Sequence, residues 1–234
     1  MNNKNSQIRA HARHLLDDNI FGADWLKGVL VCFLKSLISS IVSWIFSGIA
    51  QAAIVVLLIF GIFNNSLKAS LFISIFVYLI ALVLSIGLFA PFKVGVAAVY
   101  TDLVRNGEKV KVGKIFYGFK NFVSNVLLGV MYTIQIVVWS IFFIVPGIYV
   151  AYSYALVFYV KRDHPDFRWK QCFDESERLM DGNRWNLFKL QMGHIGYFII
   201  GLAFVGIGAF WAAPYLNTST AIFYENLRLE KGER

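Results

Sequence analysis

Residues 172–188 read Cys-Phe-Asp-Glu-Ser-Glu-Arg-Leu-Met-Asp-Gly-Asn-Arg-Trp-Asn-Leu-Phe. Cys172, Phe173, Ser176, Leu179 and Met180, with Trp169 ahead of them, recur at helical spacing, and charged residues fill the positions between. The spacing predicts a short polar helix with one buried stripe. Gly182 supplies its stop, and Trp185 marks the threshold of an apolar run that opens at Leu187. Weaker versions of the same device stand before two earlier apolar blocks. The pattern predicts three similar units, each an interfacial amphipathic helix followed by a membrane hairpin.

Composition supports the reading. Of 234 residues, 58% are hydrophobic and 15% charged, too apolar and too weakly charged for a water-soluble domain. A helix crossing a bilayer needs about 20 apolar residues, and the chain supplies several such runs. The expected fold is therefore all-α and polytopic: about six transmembrane spans in three helical hairpins. A polar interfacial segment (residues 1–24) precedes a single membrane domain (25–228) with hairpins at about 25–104, 121–160 and 186–227, and residues 229–234 form a charged tail. Lys4, Arg9, Arg13 and Asp17 come before any long apolar run and no small-residue cleavage site follows, so the first span is expected to be an uncleaved anchor.

Along the chain, Ile8, Ala12, Leu15 and Leu16 recur at helical spacing beside Arg9 and Arg13, which suits a helix on an anionic surface; the plainer reading is a frayed tail. Trp25–Phe63 is too long for one straight span, so it either tilts or breaks near Ser47-Gly48. Ser36, Ser40, Ser43 and Ser47 share a face and suggest close helix packing in lipid. Val112, Ile115, Phe116 and Phe119 predict a second interfacial helix, Pro146-Gly147 a turn, and Asp166 the N-cap of the helix that holds Cys172.

Pro91, Pro146 and Pro214 are each expected to begin a descending helix, where a missing N–H costs nothing. Tyr100, Tyr159 and Tyr224 follow them, expected at the interface with rings in lipid and hydroxyls in water. Asp18-Asn19-Ile20-Phe21, Asn121-Phe122 and Asn183-Arg184-Trp185 are matching unit entrances. Basic residues cluster in the N-terminal segment, loop 104–120, loop 161–185 and the C-terminus, whereas the opposite loops hold only Lys68. By the positive-inside rule both termini are cytoplasmic. The net charge of +8 then points to anionic membrane lipids as partners and not to nucleic acid.

Ser176-x-x-Leu179-Met180-x-Gly182-x-Arg184-Trp185, followed by Ile195-Gly196, Pro214-Tyr215 and Ala221-x-Phe223-Tyr224, resembles the bacterial domain-of-unknown-function family 975. The likeness runs from about Phe116 to Leu227. It implies a six-helix protein of the bacterial cytoplasmic membrane whose activity is undetermined. A looser similarity links it to the membrane domain fused to some glycerophosphodiester phosphodiesterases, which hints at lipid chemistry. Where the family's fifth span carries a serine and then Phe-Ile-Gly-Trp, this chain has Gly193-His194-Ile195-Gly196-Tyr197, which argues against a family-wide role for His194.

Polar groups inside apolar blocks are functional candidates by default. Lys93, Gln135, Gln191, His194 and Asn217 form the candidate intramembrane site, with Lys93 expected near the outer face. Asp102 and Glu225 are helix-end carboxylates expected to reach water. Gly182, Arg184 and Trp185 form an interfacial motif. Enzyme signatures are absent, Cys32 and Cys172 without clustered histidines do not make a metal site, and no cofactor or catalytic residue is expected. Two functions remain open: a small transporter or lipid-handling protein with a site between the hairpins, or a non-catalytic accessory protein acting through a protein partner or as a homo-oligomer.

Overall fold

The computed structural model describes residues 2–16, 22–194 and 207–231. Every regular element among them is helical. In order they are α1 (Asn2–Leu15), α2 (Ala23–Phe63), α3 (Leu67–Leu88), α4 (Ala90–Asn106), a 3-10 segment (Val112–Asn121), α5 (Phe122–Phe142), α6 (Ile144–Ser153), α7 (Val157–Asp163), α8 (Trp169–Met180), α9 (Arg184–Met192) and α10 (Ile207–Glu230). Among the described residues four stretches are long and apolar enough to cross a membrane: Ala23–Phe63, Leu67–Asn106, Val112–Ile141 and Ile144–Asp163. That suits an integral membrane protein. The ascending part of the third hairpin falls largely on residues outside those described, as do the entrance at Asp18–Phe21 and the Ile195-Gly196 pair.

The first apolar block is one unbroken helix. α2 has 41 residues, so it is about 60 Å long at 1.5 Å per residue, roughly twice the hydrocarbon thickness. It turns at Asn64–Ser66, where Asn65 adopts a positive φ of 55°, and α3 returns beside it. Small residues carry this seam: Gly61 lies directly against Ser70, and both are buried. Of the predicted serine face, Ser40 and Ser43 are exposed, so the close packing expected of it is made by other small residues.

Pro91 is the second residue of α4, but α4 prolongs the leg begun by α3 after a break at Phe89, so Pro91 lies partway down that leg. Pro214 is interior to α10, as its eighth residue. Only Pro146 stands where a descending leg begins. The second turn is made by Phe143, extended at φ −159° and ψ 144°, and Pro146 and Gly147 already belong to α6. Gly147 instead lets α6 approach Ser140 on α5.

The second interfacial helix is 3-10, which explains its buried face: Ile115 and Gly118, three residues apart, point at α4, while Phe116 and Phe119 are exposed. The approach is backbone to backbone. A Cβ on Gly95 would strike the Ile115 carbonyl, and one on Gly118 the Pro91 carbonyl. α8 forms as expected with Cys172, Phe173, Ser176, Leu179 and Met180 buried, and Gly182, at φ 74°, ends it. Its N-cap is Arg168 and not Asp166: the Gln171 side chain accepts the Arg168 N–H at 2.8 Å. The α1 stripe of Ile8, Ala12 and Leu16 is buried, and α1 packs on α9 and α10, so it covers protein where a lipid surface was expected.

The core sits at one end of the molecule. α4 is buried from Ala90 to Leu103 apart from Lys93, and it packs on α7, α10 and the 3-10 segment. Trp25, Tyr100, Leu156, Val160 and Tyr224 have no exposed surface. At the other end, Trp44, Phe63 and Phe72 are 78%, 85% and 74% exposed on helices whose sequences are apolar almost throughout. Such surface is stable only against hydrocarbon or another protein.

Candidate functional site

The descending legs end in charge: Asp102-x-x-Arg105 on α4, Arg162-Asp163 on α7 and Glu225-x-x-Arg228 on α10. The fold brings these three ends together and pairs them across units. Arg105 donates to Asp163 at 2.7 Å and to Glu225 at 2.6 Å. Arg228 donates to Asp163 at 3.0 Å, and Arg162 to Asp163 and Asp102. Lys114, from the 3-10 segment, completes the group with Asp102 at 2.5 Å and Glu108 at 2.9 Å. Asp163 is the hub: it accepts from three arginines and from the Tyr224 hydroxyl at 2.9 Å, and its side chain is 5% exposed. A carboxylate this buried holds its charge only because both of its oxygens are met by charged or hydroxyl donors. Asp102 and Glu225, at 9% and 8% exposed, are thus clasps between hairpins and do not reach water as expected.

A cavity of about 890 Å³ opens beside this group. Arg105, Lys114, Lys120, Arg162 and Arg228 contribute cations to its wall, and Asp102 and Asp163 carboxylates. Its mouth is aromatic. Phe116 and Tyr117 line it, and Phe92, Phe116, Phe119 and Phe122 form a ladder with centroids 4.8–6.2 Å apart whose outer rings are exposed. Lys120 lies 5.3 Å from the centre of the Tyr117 ring and has no carboxylate partner among the described residues. Hydrogen bonds from Lys114 and Lys111 hold the Glu108 carboxyl down to about 2, so it is charged at neutral pH. Among the described residues no three His, Cys, Asp or Glu side chains are grouped to hold a metal ion.

The tyrosines of the repeat converge in the core instead of meeting water. The Tyr100 hydroxyl donates to the Gly28 carbonyl at 3.2 Å and lies 3.4 Å from Cys32 Sγ. Tyr159 donates to the Asn217 carbonyl at 3.4 Å, and its ring lies 5.5 Å from that of Tyr224. An interfacial aromatic and a core aromatic share the same sequence position, at the end of an apolar helix. Convergence of three helix ends decides between them.

The five predicted intramembrane residues are not brought to one place. Lys93, on α4, lies level with the middle of α5 rather than near the outer face: its ammonium is 5.1 Å from the Tyr132 ring centre and 4.9 Å from that of Phe158, a cation held by two π-faces. Gln135 is half-buried on α5. Gln191 accepts the Tyr152 hydroxyl at 2.9 Å. His194, buried, lies with Nδ1 2.9 Å from the Leu190 carbonyl and Nε2 3.3 Å from Ser219 Oγ. Asn217 donates to the Ala213 carbonyl at 2.9 Å and lies 3.5 Å from Cys32 Sγ. Gln191, His194 and Asn217 thus each take part in a local or helix-to-helix hydrogen bond.

Arg184 of the interfacial motif is a brace. It donates to Ser153 Oγ at 2.7 Å, stacks 4.4 Å from the Tyr149 ring centre and pairs with Asp181 at 3.3 Å, while Ser176 donates to the Ser153 carbonyl at 2.9 Å. Trp185, in contrast, is 62% exposed. The stretch 172–188 is thus pinned to α6 by two side chains that meet at one serine. Burial pushes the Cys172 thiol within it up to about 11. Sequence reasoning passed over Lys161, a residue 2% exposed whose ammonium donates to Ser124 Oγ and the Pro165 and Phe167 carbonyls at 2.6–2.8 Å. It also passed over Arg105, Lys114, Lys120, Arg162, Asp163 and Arg228. The available signal was an acid and an arginine within four residues at the end of every descending leg.

No curated protein and no solved structure matches the chain. The comparisons do not show the looser likeness to glycerophosphodiester phosphodiesterases. One family model matches over residues 141–231, a span that begins at the end of α5 and takes in α8, its glycine stop and the Arg184 brace. Over that segment the chain is similar to the family described as protein of unknown function (DUF975).

Proposed function

We propose that this protein handles lipid by binding the phosphate-bearing headgroup of an anionic phospholipid at the charged end of the hairpins. The observation that carries this is the cavity with five cationic and two carboxylate side chains in its wall, rimmed by exposed aromatic rings. Guanidinium and ammonium donors suit phosphate oxygens, and aromatic rings suit the boundary where headgroup meets acyl chain. By the positive-inside rule this end faces the cytoplasmic leaflet, where anionic lipids make the surface potential negative. The site is between the hairpins but at their ends, not at mid-depth.

The test is native mass spectrometry of the protein from nanodiscs that contain phosphatidylcholine with or without phosphatidylglycerol. The expected result is retention of about one phosphatidylglycerol per chain, lost when Lys114→Gln and Lys120→Gln are combined. Equal retention of both lipids would overturn the proposal. A second reading, an accessory role through a protein partner or a second copy, draws on the exposed serines of α2. Crosslinking from Ser43→Cys to a single defined partner, with no lipid retained, would favour it.

A further inference from the structure

The charge on the cavity wall is unbalanced by a definite amount. Arg105, Lys114, Lys120, Arg162 and Arg228 line it. The carboxylates that face them are Asp102, Asp163 and Glu225, while Glu108, shared with Lys114, is matched from outside by Lys111 at 2.9 Å. Five cations against three anions leave two positive charges. One is localised: Lys120 has no carboxylate partner among the described residues. The other is spread over the arginines, and one atom shows it. Arg228 Nε is buried and donates no hydrogen bond, its nearest carboxylate oxygen being Glu225 Oε2 at 3.8 Å.

From this excess of two we infer that the cavity selects a phosphomonoester dianion over a phosphodiester monoanion. The inference rests on the lipid-binding reading above and narrows its ligand. A phosphodiester headgroup has one negative charge and two free oxygens, which leaves one cation of the wall unmatched in a partly desolvated site. A phosphomonoester carries close to two charges above pH 7 and presents three strong acceptor oxygens. It neutralises the wall and offers an acceptor to Lys120. Size does not oppose the assignment, since about 890 Å³ is room for a headgroup with its ordered water.

The experiment uses the full chain in phosphatidylcholine nanodiscs at pH 8, with phosphatidic acid or phosphatidylglycerol added at equal total charge. Bound lipid is counted by native mass spectrometry. Phosphatidic acid should be retained at least about tenfold better, because one further charge-assisted hydrogen bond is worth that factor or more. Lys120→Gln should bring the two lipids to near parity, and Lys68→Gln, at the opposite end of the chain's first hairpin, should leave the preference intact. Equal retention of both anionic lipids, each above phosphatidylcholine, would overturn the inference and leave the lipid-binding reading standing. Retention of neither would overturn both. A preference that survives Lys120→Gln would remove it from this cavity. Displacement of phosphatidic acid by glycerol 3-phosphate at the same concentration would reassign the cavity to a soluble phosphomonoester and overturn the lipid source.

Discussion

The two ends of this molecule are built by opposite rules. At the charged end, α4, α7 and α10 are packed against one another so closely that tyrosines and carboxylates are buried along with the aliphatic residues. At the far end, α2 and α3 form a long hairpin with apolar side chains on nearly every face and little covering them. The first end is held by what its residues do to each other. The second is held by its solvent, because hydrocarbon gives an exposed Phe63 or Trp44 nothing to escape from. Substitutions should therefore cost much at one end and little at the other, and each prediction below probes that asymmetry in detergent-solubilised protein by its unfolding midpoint.

The largest effect is expected at Asp163. Asp163→Asn leaves Arg105, Arg162 and Arg228 facing one another with their shared anion gone. Removal of one partner from a buried ion group costs about 3–5 kcal/mol. Phe72→Ala, on the exposed hairpin, should change stability by no more than about 0.5 kcal/mol. If the two substitutions cost the same, the division of the molecule into a self-packed end and a lipid-supported end is wrong.

Next come the glycines of the 3-10 crossing. Gly95→Ala and Gly118→Ala each drive a methyl into a carbonyl of the facing backbone, where no side chain can move aside. Overpacking of this kind costs about 1–3 kcal/mol, and here it should fall near the upper value. A cost near zero for both would mean that the 3-10 segment does not lie on α4. Tyr100→Phe is expected to be milder. It removes a hydroxyl that donates to the Gly28 carbonyl, which loses about 1 kcal/mol while the ring stays packed. No loss there would place the hydroxyl in water, the interfacial role that the sequence suggests.

That last contrast indicates what could be read in advance. Apolar length and the polar breaks made the helical hairpins legible, and the stripe of α8 with its stop at Gly182 was visible in spacing alone. These features depend on neighbours within one helix. What could not be read depended on where different helices meet. Tyr100 ends an apolar run just as an interfacial tyrosine does, and nothing local says that two other helix ends will close over it. A proline two residues before Lys93 looks like the start of a leg and so places Lys93 near the outer face, but the turn lies at Asn64–Ser66 and Lys93 is partway down. Val112, Ile115, Phe116 and Phe119 fit an α-helical period, yet the segment is 3-10 and buries Ile115 with Gly118, because the close backbone approach to α4 decides its face. The site was missed for a related reason: Asp102, Asp163 and Glu225 each look like a carboxylate at a wet helix end, and only their convergence with three arginines makes them one group.

The smallest effect tests the far end directly. Gly48 sits in the middle of α2 with nothing within 4 Å of where a Cβ would stand. In an exposed helix interior, glycine is worse than alanine by about 1 kcal/mol, because its backbone loses more freedom on folding. Gly48→Ala should thus be neutral or stabilising by up to about 1 kcal/mol, opposite in sign to Gly95→Ala. The same Ser47-Gly48 pair is where a long helix would break if it broke at all, so the sign carries a second meaning. A stabilising alanine fits the continuous α2. A destabilising one would mean either that a helix from elsewhere packs against this face or that the glycine permits a bend, and alanine at Ser47 separates these. It should add to the loss if a partner is present and restore nothing if the bend is what matters.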